Sequence, residues 1–522
     1  MSLTIGTVGH YRKKAGALAA AALLAATALL LPLGAQSVAH AGTAYYVSAT
    51  GSDSNAGTGT GSAWKTLQKA ANTAGPGDTV YVMGGTYNQK LKISASGSAS
   101  GGYITFRNYA NQTAIIDGAG LSVGDSEGLV EIGNASYVKI QGFEIRNYAS
   151  STRDKVPMGI YVYGSGNHIE LRNNFVHDIK STATVRSDLS GRDAHGIAVY
   201  GTNATAISDL VIDGNTLTNL VLGSSESLVV NGNVNGFAIT NNLIHDNDNI
   251  GIDAIGFEGT APSNDQARNG TISGNTVYNI TSVNNPAYGK SLPNGSYAAD
   301  GIYVDGGKDI VIERNYSYGN DIGIEMASEH AGKSTSNITV RSNVVYNNSY
   351  TGIAIGGYDT QRGSTTGCKI VNNTLYKNDT VGYEGGQLLV QFDTRNNVIE
   401  NNILVASASG ILIQNGYTQN TGNTVDYNLY FGPGGTSGST WIWKTVSYGS
   451  FAAYKTGSGN EAHSLFADPL FVNAPAANFH LGAASPAINA GYADTAIIGT
   501  ADIDGDARVS GSSVDIGADE SA

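Results

Sequence analysis

From Ile169 to Asp178 the chain reads IELRNNFVHD, and variants of this phrase return along most of its length. They are LVIDGNTLTN around Asn215, FAITNNLIHD around Asn242, GTISGNTVYN around Asn275, IVIERNYSYGND around Asn315, ITVRSNVVYNN around Asn343, CKIVNNTLYKND around Asn373 and VIENNILVAS around Asn402. Each is a short alternating run that ends at an asparagine, followed by an apolar residue and a polar turn. A second phrase alternates with the first: GIYVYG from Gly159, GIAVYG from Gly196, GIDAIGF from Gly251, GIYVDGG from Gly301, GIEMASE from Gly323, GIAIGGY from Gly352 and GILIQNG from Gly410. Period-two alternation with no helical period marks both phrases as short strands. A unit this small cannot bury its own apolar face, but units stacked in register bury a continuous core and pair their backbones with the coils above and below. The sequence therefore predicts an all-β fold, a right-handed parallel β-helix, whose repeated asparagines form a ladder of side-chain amides between coils.

Composition agrees with one long repetitive domain. Glycine makes up 69 of 522 residues and charged residues only 14%, with 41% hydrophobic, a mixture that excludes a coiled coil, a helical bundle and a disordered chain. A formal charge of −13 leaves no diffuse basic surface for a phosphate backbone, so no nucleic-acid partner is expected. The single cysteine, Cys368, has no partner for an internal disulfide or a thiolate metal site and reads as a small buried hydrophobe. Arg12, Lys13 and Lys14 precede an apolar run from Ala15 to Leu33, and Ala39-His40-Ala41 follows as a small-x-small cleavage site. Residues 1–41 are thus expected to be a signal peptide, and the mature chain from Gly42 a secreted, extracellular monomer with no membrane segment of its own.

The mature chain divides into a cap with first strands (42–90), stacked coils (91–430) and irregular C-terminal coils with a cap (431–522). Trp64, Leu67, Ala70 and Ala71 sit at helical spacing, which suits a short N-terminal capping helix over the open first coil. At the far end, Phe466 to Asn489 and Asp502 to Glu520 read as irregular strands that close the last coil. Asp502, Asp504 and Asp506 are similar to the start of a calcium loop that lacks its distal Glu. A long loop from about Thr281 to Ala299 interrupts the repeat, and loops on a rigid solenoid carry binding.

In each GIxV phrase the Ile and Val point inward and the residue between them outward, so successive coils set these outward residues about 4.8 Å apart in a row. Aligning the phrases gives Tyr161, Ala198, Val229, Asp253, Tyr303, Glu325, Ala354 and Leu412. Three ionisable residues meet at mid-stack. The next outward position adds Asp305, following turns add Glu258, Glu329, His330, Tyr358 and Asp359, and Arg192, Asp193, His195, Asp246, Asp248 and Asp300 lie upstream. Charges concentrated in a chain this poor in charge point to a site in a groove for several sugar units. Tyrosine, at 29 against 11 phenylalanines, supplies platforms for sugar rings. Proton-transfer candidates are Asp253, Tyr303, Asp305 and Glu325, with Lys290 on the loop, Lys308 and His330. Arg192, His195, Glu329 and Tyr358 are read as substrate contacts.

The opening YYVSATGSDSNAGTGTGSAWKTLQKAA, the strand GDTVYVMGGTY, the asparagine-punctuated coils and the closing NFHLGAASPAINAG with DIGADE resemble secreted β-helix enzymes that act on polysaccharides. The closest layout is that of the family 9 polysaccharide lyases, which include pectate lyases. The resemblance implies a uronic-acid-containing polysaccharide cleaved by β-elimination with the help of bound Ca2+. It lays GIYVDGG over the element that normally carries a catalytic lysine and DNIGID over the calcium-binding element. Tyr303 then stands at the lysine's place, and Asn249 and Ile250 replace paired aspartates, which leaves Asp246, Asp248 and Asp253 to supply oxygens to a cation. The residues fit two alternatives as well: a glycoside hydrolase with paired carboxylates, Asp253 with Glu325 or Asp305 with Glu325, which needs no cation, and a non-catalytic glycan-binding solenoid.

Overall fold

The computed structural model describes residues 42–521; the expected signal peptide, 1–41, lies outside them. Among the described residues no helix is long and apolar enough to cross a membrane. The chain winds into three long parallel sheets, in each of which a strand pairs with its counterpart one coil earlier and one coil later. One sheet starts at Ala44–Val47, a second at Leu91–Ile93 and a third at Gly85–Tyr87. This is the expected parallel β-helix.

The alternation of the sequence is what closes the stack. On the second sheet Ile160, Ile197, Leu228, Ile252, Ile302, Ile324, Ile353, Leu388 and Ile413 are partners in successive coils. All are buried. Each contributes roughly 1.5–3 kcal/mol of burial, and together they form one continuous core column.

The asparagine ladder runs from Asn174 to Asn428. In the middle of it, the Asn315 backbone N–H donates to Asn343 Oδ1 at 2.9 Å, and Asn315 Nδ2 donates to the same oxygen and to Ile272 O, both at 2.9 Å. Asn315 Oδ1 in turn accepts from the backbone and side-chain N–H of Asn275 at 2.8 and 3.0 Å. The residue before each ladder asparagine is left-handed, with φ of 52° at Asn173, 67° at Gly214, 55° at Asn241 and 67° at Gly274. Asn and Gly adopt that conformation at least cost, which explains the recurring NN and GN pairs. A second ladder, Asn320 to Asn348 to Asn378 to Gln387, goes beyond the sequence expectation; its asparagines lie in the phrases YGND, YNN and YKND, two residues after the tyrosine.

The N-terminal helix forms at Leu67–Ala71, capped by Thr66, with Trp64, Leu67, Ala70 and Ala71 buried on the first coil. The C-terminal expectation is corrected. The last coil is covered by an antiparallel hairpin, Thr440–Trp443 with Val446–Tyr448, and by the helix Phe451–Ser458. Trp441 sits there among Tyr430, Phe451, Tyr454 and Phe466. Of the predicted closing strands only Leu465–Phe466 extends a long sheet. The chain beyond turns back along the outside of the stack, where Ile497 O, Tyr492 O and Asp515 O accept from Arg341, Asn401 and Asn372. Its apolar residues face sideways: Phe479 packs on Tyr346 and Tyr376. In DIDGD, Asp502 Oδ1 accepts from the N–H groups of Asp504 and Asp506, closing the turn within the chain. Cys368 is buried as expected.

Candidate active site

Strand pairing places Asp253 beside Tyr303 and Tyr303 beside Glu325 on the second sheet, in three consecutive coils. The row runs upstream through Val229, Ala198 and Tyr161 as predicted. Downstream it continues through Ala354 to Leu389 and Gln414. Leu412 therefore leaves the row and packs in the core. The reason is the coil of Leu388–Val390, which lacks the GI phrase on which the alignment rests.

A second row lies three residues earlier, where His195, Glu226, Ile250 and Asp300 precede Ala198, Val229, Asp253 and Tyr303. Glu226 is absent from the sequence-derived candidates, although this spacing repeats in the sequence. The rows are not an open floor: Asp253, Tyr303 and Glu325 are only 2%, 5% and 5% exposed. The long loop between the strands Thr276–Ile280 and Asp300–Asp305 folds over them. Asn285 Nδ2 donates to Gly223 O and Asp248 O at 2.7 and 2.9 Å, and Tyr288 Oη donates to Asn249 Oδ1 at 2.8 Å. Beside these rows, Glu258 is exposed and His330 partly so.

Crowded carboxyls under a roof change their proton affinity. Burial, followed by the neighbouring charges of Glu226, Asp305, Asp300 and Glu258, holds the Asp253 carboxyl far above the ordinary carboxylate range. Asp300 is raised in the same way, by burial and then by Glu325. Glu325 is pushed up to about 7 by burial, while its hydrogen bonds with Asp300 and with Gln391 Nε2 at 2.8 Å work against the rise. Asp300 and Glu325 are thus hydrogen-bonded carboxyls that titrate as a coupled pair, in which Asp300 is the more strongly raised partner and Glu325 ionises at about 7. Burial and the adjacent carboxylates drive the Tyr303 hydroxyl well above 10, so this tyrosine keeps its proton. His195 is neutral, lowered to about 4 by burial, with Nδ1 at 3.1 Å from Glu226 O.

Other predicted residues are not part of this cluster. Asp246 sits at the end of a third-sheet strand, exposed, bound to His245 Nδ1 at 2.6 Å and Asn279 Nδ2 at 3.1 Å. Asp248 accepts from the Leu222 N–H at 2.6 Å, with Arg192 beside it, and burial raises it to about 6. The trio Asp246, Asp248 and Asp253 is therefore not gathered around one point, because their strands and turn face different sides of the coil. Lys290 is exposed on the loop. Lys308 lies on the first sheet, 3.9 Å from Asp309. Tyr358 stacks under the Arg362 guanidinium at 4.6 Å, close enough to Glu329 to feel its charge. The tyrosines are largely occupied with each other: His245, Tyr278, Tyr318 and Tyr346 stack face to face along the third sheet at 4.6–5.0 Å. Those faces are not offered to a sugar.

The raised carboxyls fix the sign of a stability effect. Glu325 and Glu461 at about 7 and Asp321 at about 6 bind protons more tightly in the folded chain than the unfolded value near 4. The folded state therefore holds more protons between about pH 4 and 7, and stability is lost as pH rises through that window. The chelator-treated protein is expected to melt a few degrees lower at pH 8 than at pH 5.5 by scanning calorimetry. A flat or rising melting temperature over that window contradicts the burial of these acids.

Residues 45–198 match the family model described as Pel9A-like, right handed beta helix region, and residues 158–374 match one described as right handed beta helix region. The handedness expected above agrees with both. The uncharacterized protein YwoF of Bacillus subtilis (strain 168) is 45% identical over 443 residues, which cover 85% of this chain and 91% of YwoF. Pectate lyase PEL9 of Emericella nidulans is 33% identical over 163 residues, 30% of this chain and 37% of the lyase. The crystal structure of pectate lyase Pel9A has 16% identity and a TM-score of 0.49, covering 93% of this chain and 98% of that one.

Proposed function

We propose that this chain, which belongs to the same family as YwoF of Bacillus subtilis, is a secreted polysaccharide-degrading enzyme that hydrolyses glycosidic bonds with the carboxyls of one β-helix face. The observation that carries this reading is the burial of Asp300 and Glu325 side by side on adjacent coils, which raises both carboxyls, Glu325 to about 7. A carboxyl that still holds a proton near pH 7 is what a leaving glycosidic oxygen requires of a general acid. Asp253, two coils from Glu325, has its backbone about 9–10 Å away, the spacing of an inverting pair; burial and its acidic neighbours favour its protonated form, so it activates water only when a cation or the bound substrate leaves it ionised. Tyr303 between them is a fixed hydrogen-bond donor to the sugar. The substrate passes the exposed side at Glu258 and His330, and the density of carboxylates favours a neutral or amino-sugar polymer over a polyuronate.

The second reading is β-elimination, favoured by the stretch of identity with pectate lyase PEL9. It needs a base at Tyr303 or on the loop, and the tyrosine, raised first by burial and then by the surrounding acids, holds its proton too tightly for that role.

A panel of pectate, alginate, a neutral glucan and a glucosamine-containing polymer tests both readings, with reducing ends and absorbance near 235 nm followed together. Hydrolysis gives reducing ends from a non-uronate polymer with no absorbance; an unsaturated product from pectate or alginate makes elimination the correct assignment. On the responsive polymer the rate is expected to fall as pH rises past about 7, when Glu325 ionises. The groups that face Glu325 and set this limb are Asp300, Tyr303, Glu329, Tyr350 and Gln391. A rate that climbs steadily to pH 9 contradicts the acid role.

A further inference from the structure

Glu258, Asp305 and His330 belong to three consecutive coils, and one ligand atom of each lies within 4.8 Å of the other two. Glu258 follows the strand Ile252–Ile255, Asp305 ends the strand Asp300–Asp305, and His330 follows the strand Ile322–Ala327. Two of the three are held in place from behind. Asp305 Oδ1 accepts from the Glu329 N–H at 2.7 Å, and Glu258 Oε2 accepts from Asn231 Nδ2 at 2.8 Å. Asn231 is itself fixed by the Thr260 hydroxyl at 2.7 Å. Such supporting bonds orient metal ligands.

A second observation points to a ligand here. Asp253, 2% exposed and one coil before Asp305, has its Oδ1 fully buried with no hydrogen-bond partner among the described residues. It lies on the same face as Asp305, because it pairs with Tyr303, which stands two residues before Asp305 on one strand, and the charges of Glu226, Asp305, Asp300 and Glu258 act on it. A buried carboxylate oxygen without a donor is costly unless a cation meets it.

We propose that Glu258, Asp305 and His330 bind one divalent transition-metal ion of the Zn2+ or Mn2+ class, with the Asp253 carboxylate facing it. An imidazole nitrogen with two carboxylates suits these borderline ions, whereas Ca2+ takes six to eight oxygens. The donor set differs from the all-oxygen trio expected from the sequence. Glu258 and His330 lie on the open side, which provides the entry path.

Calorimetric titration of the chelator-treated, full mature chain with Zn2+, Mn2+ or Ca2+ alone tests this without any substrate. Its outcome is therefore independent of which bond the enzyme breaks. The expected result is one Zn2+ or Mn2+ per chain, bound more tightly than Ca2+, with Glu258→Gln and His330→Ala each weakening binding by about tenfold or more. His480→Ala, at the separate His480–Asp504–Asp519 group of the C-terminal segment, is expected to leave that affinity unchanged. Circular dichroism and melting confirm that each variant is folded. No stoichiometric Zn2+ or Mn2+ binding, a preference for Ca2+, or equal affinity in Glu258→Gln and His330→Ala to that of the unaltered chain overturns the proposal, as does loss of binding in His480→Ala alone.

Discussion

Glu325→Gln is expected to lower turnover on the responsive polysaccharide by about 10²–10⁴-fold. Glutamine keeps the shape and can still meet Gln391 and Asp300, but it has no acidic proton to deliver to a departing oxygen. Asp300→Asn is expected to fall within the same range, because it removes the carboxyl that bonds Glu325 and helps to set its proton affinity. The two losses will not add when combined, since the two carboxyls are hydrogen-bonded partners in one coupled unit. Neither change empties the core, so both proteins should melt at or above the wild-type temperature at pH 8, where a buried carboxylate has been neutralised. A Glu325→Gln enzyme with nearly full turnover would remove the general acid from the account, whatever the substrate.

The largest stability effect is expected at Asn315. Alanine there deletes four hydrogen bonds made by one side chain and strands the Asn275 N–H groups and Ile272 O, all inside the stack. Unsatisfied buried groups cost about 1–3 kcal/mol apiece, so the loss should reach about 3–5 kcal/mol. In a solenoid each coil is stabilised by its neighbours, and the damage should spread to the coils of Asn275 and Asn343 as early hydrogen exchange. Asn203→Ala, an exposed turn position, serves as the comparison and should change stability by no more than about 0.5 kcal/mol. Equal effects at the two positions in denaturant unfolding would mean that the ladder is incidental to stability.

Period and punctuation make the solenoid readable in the sequence. Alternation assigns Ile252, Ile302 and Ile324 to the interior and Asp253, Tyr303 and Glu325 to the opposite side, because a strand has only two faces. The same rule fails where the phrase is absent: the coil of Leu388–Val390 carries no GI, and Leu412 is then set in the wrong register. Three-residue offsets at the start of each strand break the period-two rule and are harder to see, which is why the sequence points neither to Glu226 nor to the partnership of Asp300 with Glu325. Nothing local in the sequence reveals that the loop of Asn285 and Tyr288 covers the acids, since those bonds join residues dozens of positions apart. The C-terminal segment misleads for a related reason. Its strand-like apolar residues, Phe471 and Phe479, bury themselves against tyrosines on the outside of coils already formed. The trio Asp246, Asp248 and Asp253 is close in sequence but divided between two sides of one coil.

The most direct test is a crystal structure of Glu325→Gln soaked with an oligosaccharide of the polymer that the panel identifies. The account predicts a glycosidic oxygen within about 3.2 Å of the side-chain amide that replaces the Glu325 carboxyl, with the Asp253 carboxyl on the opposite face of the sugar. A sugar bound along another sheet, or one that meets neither side chain, would contradict it.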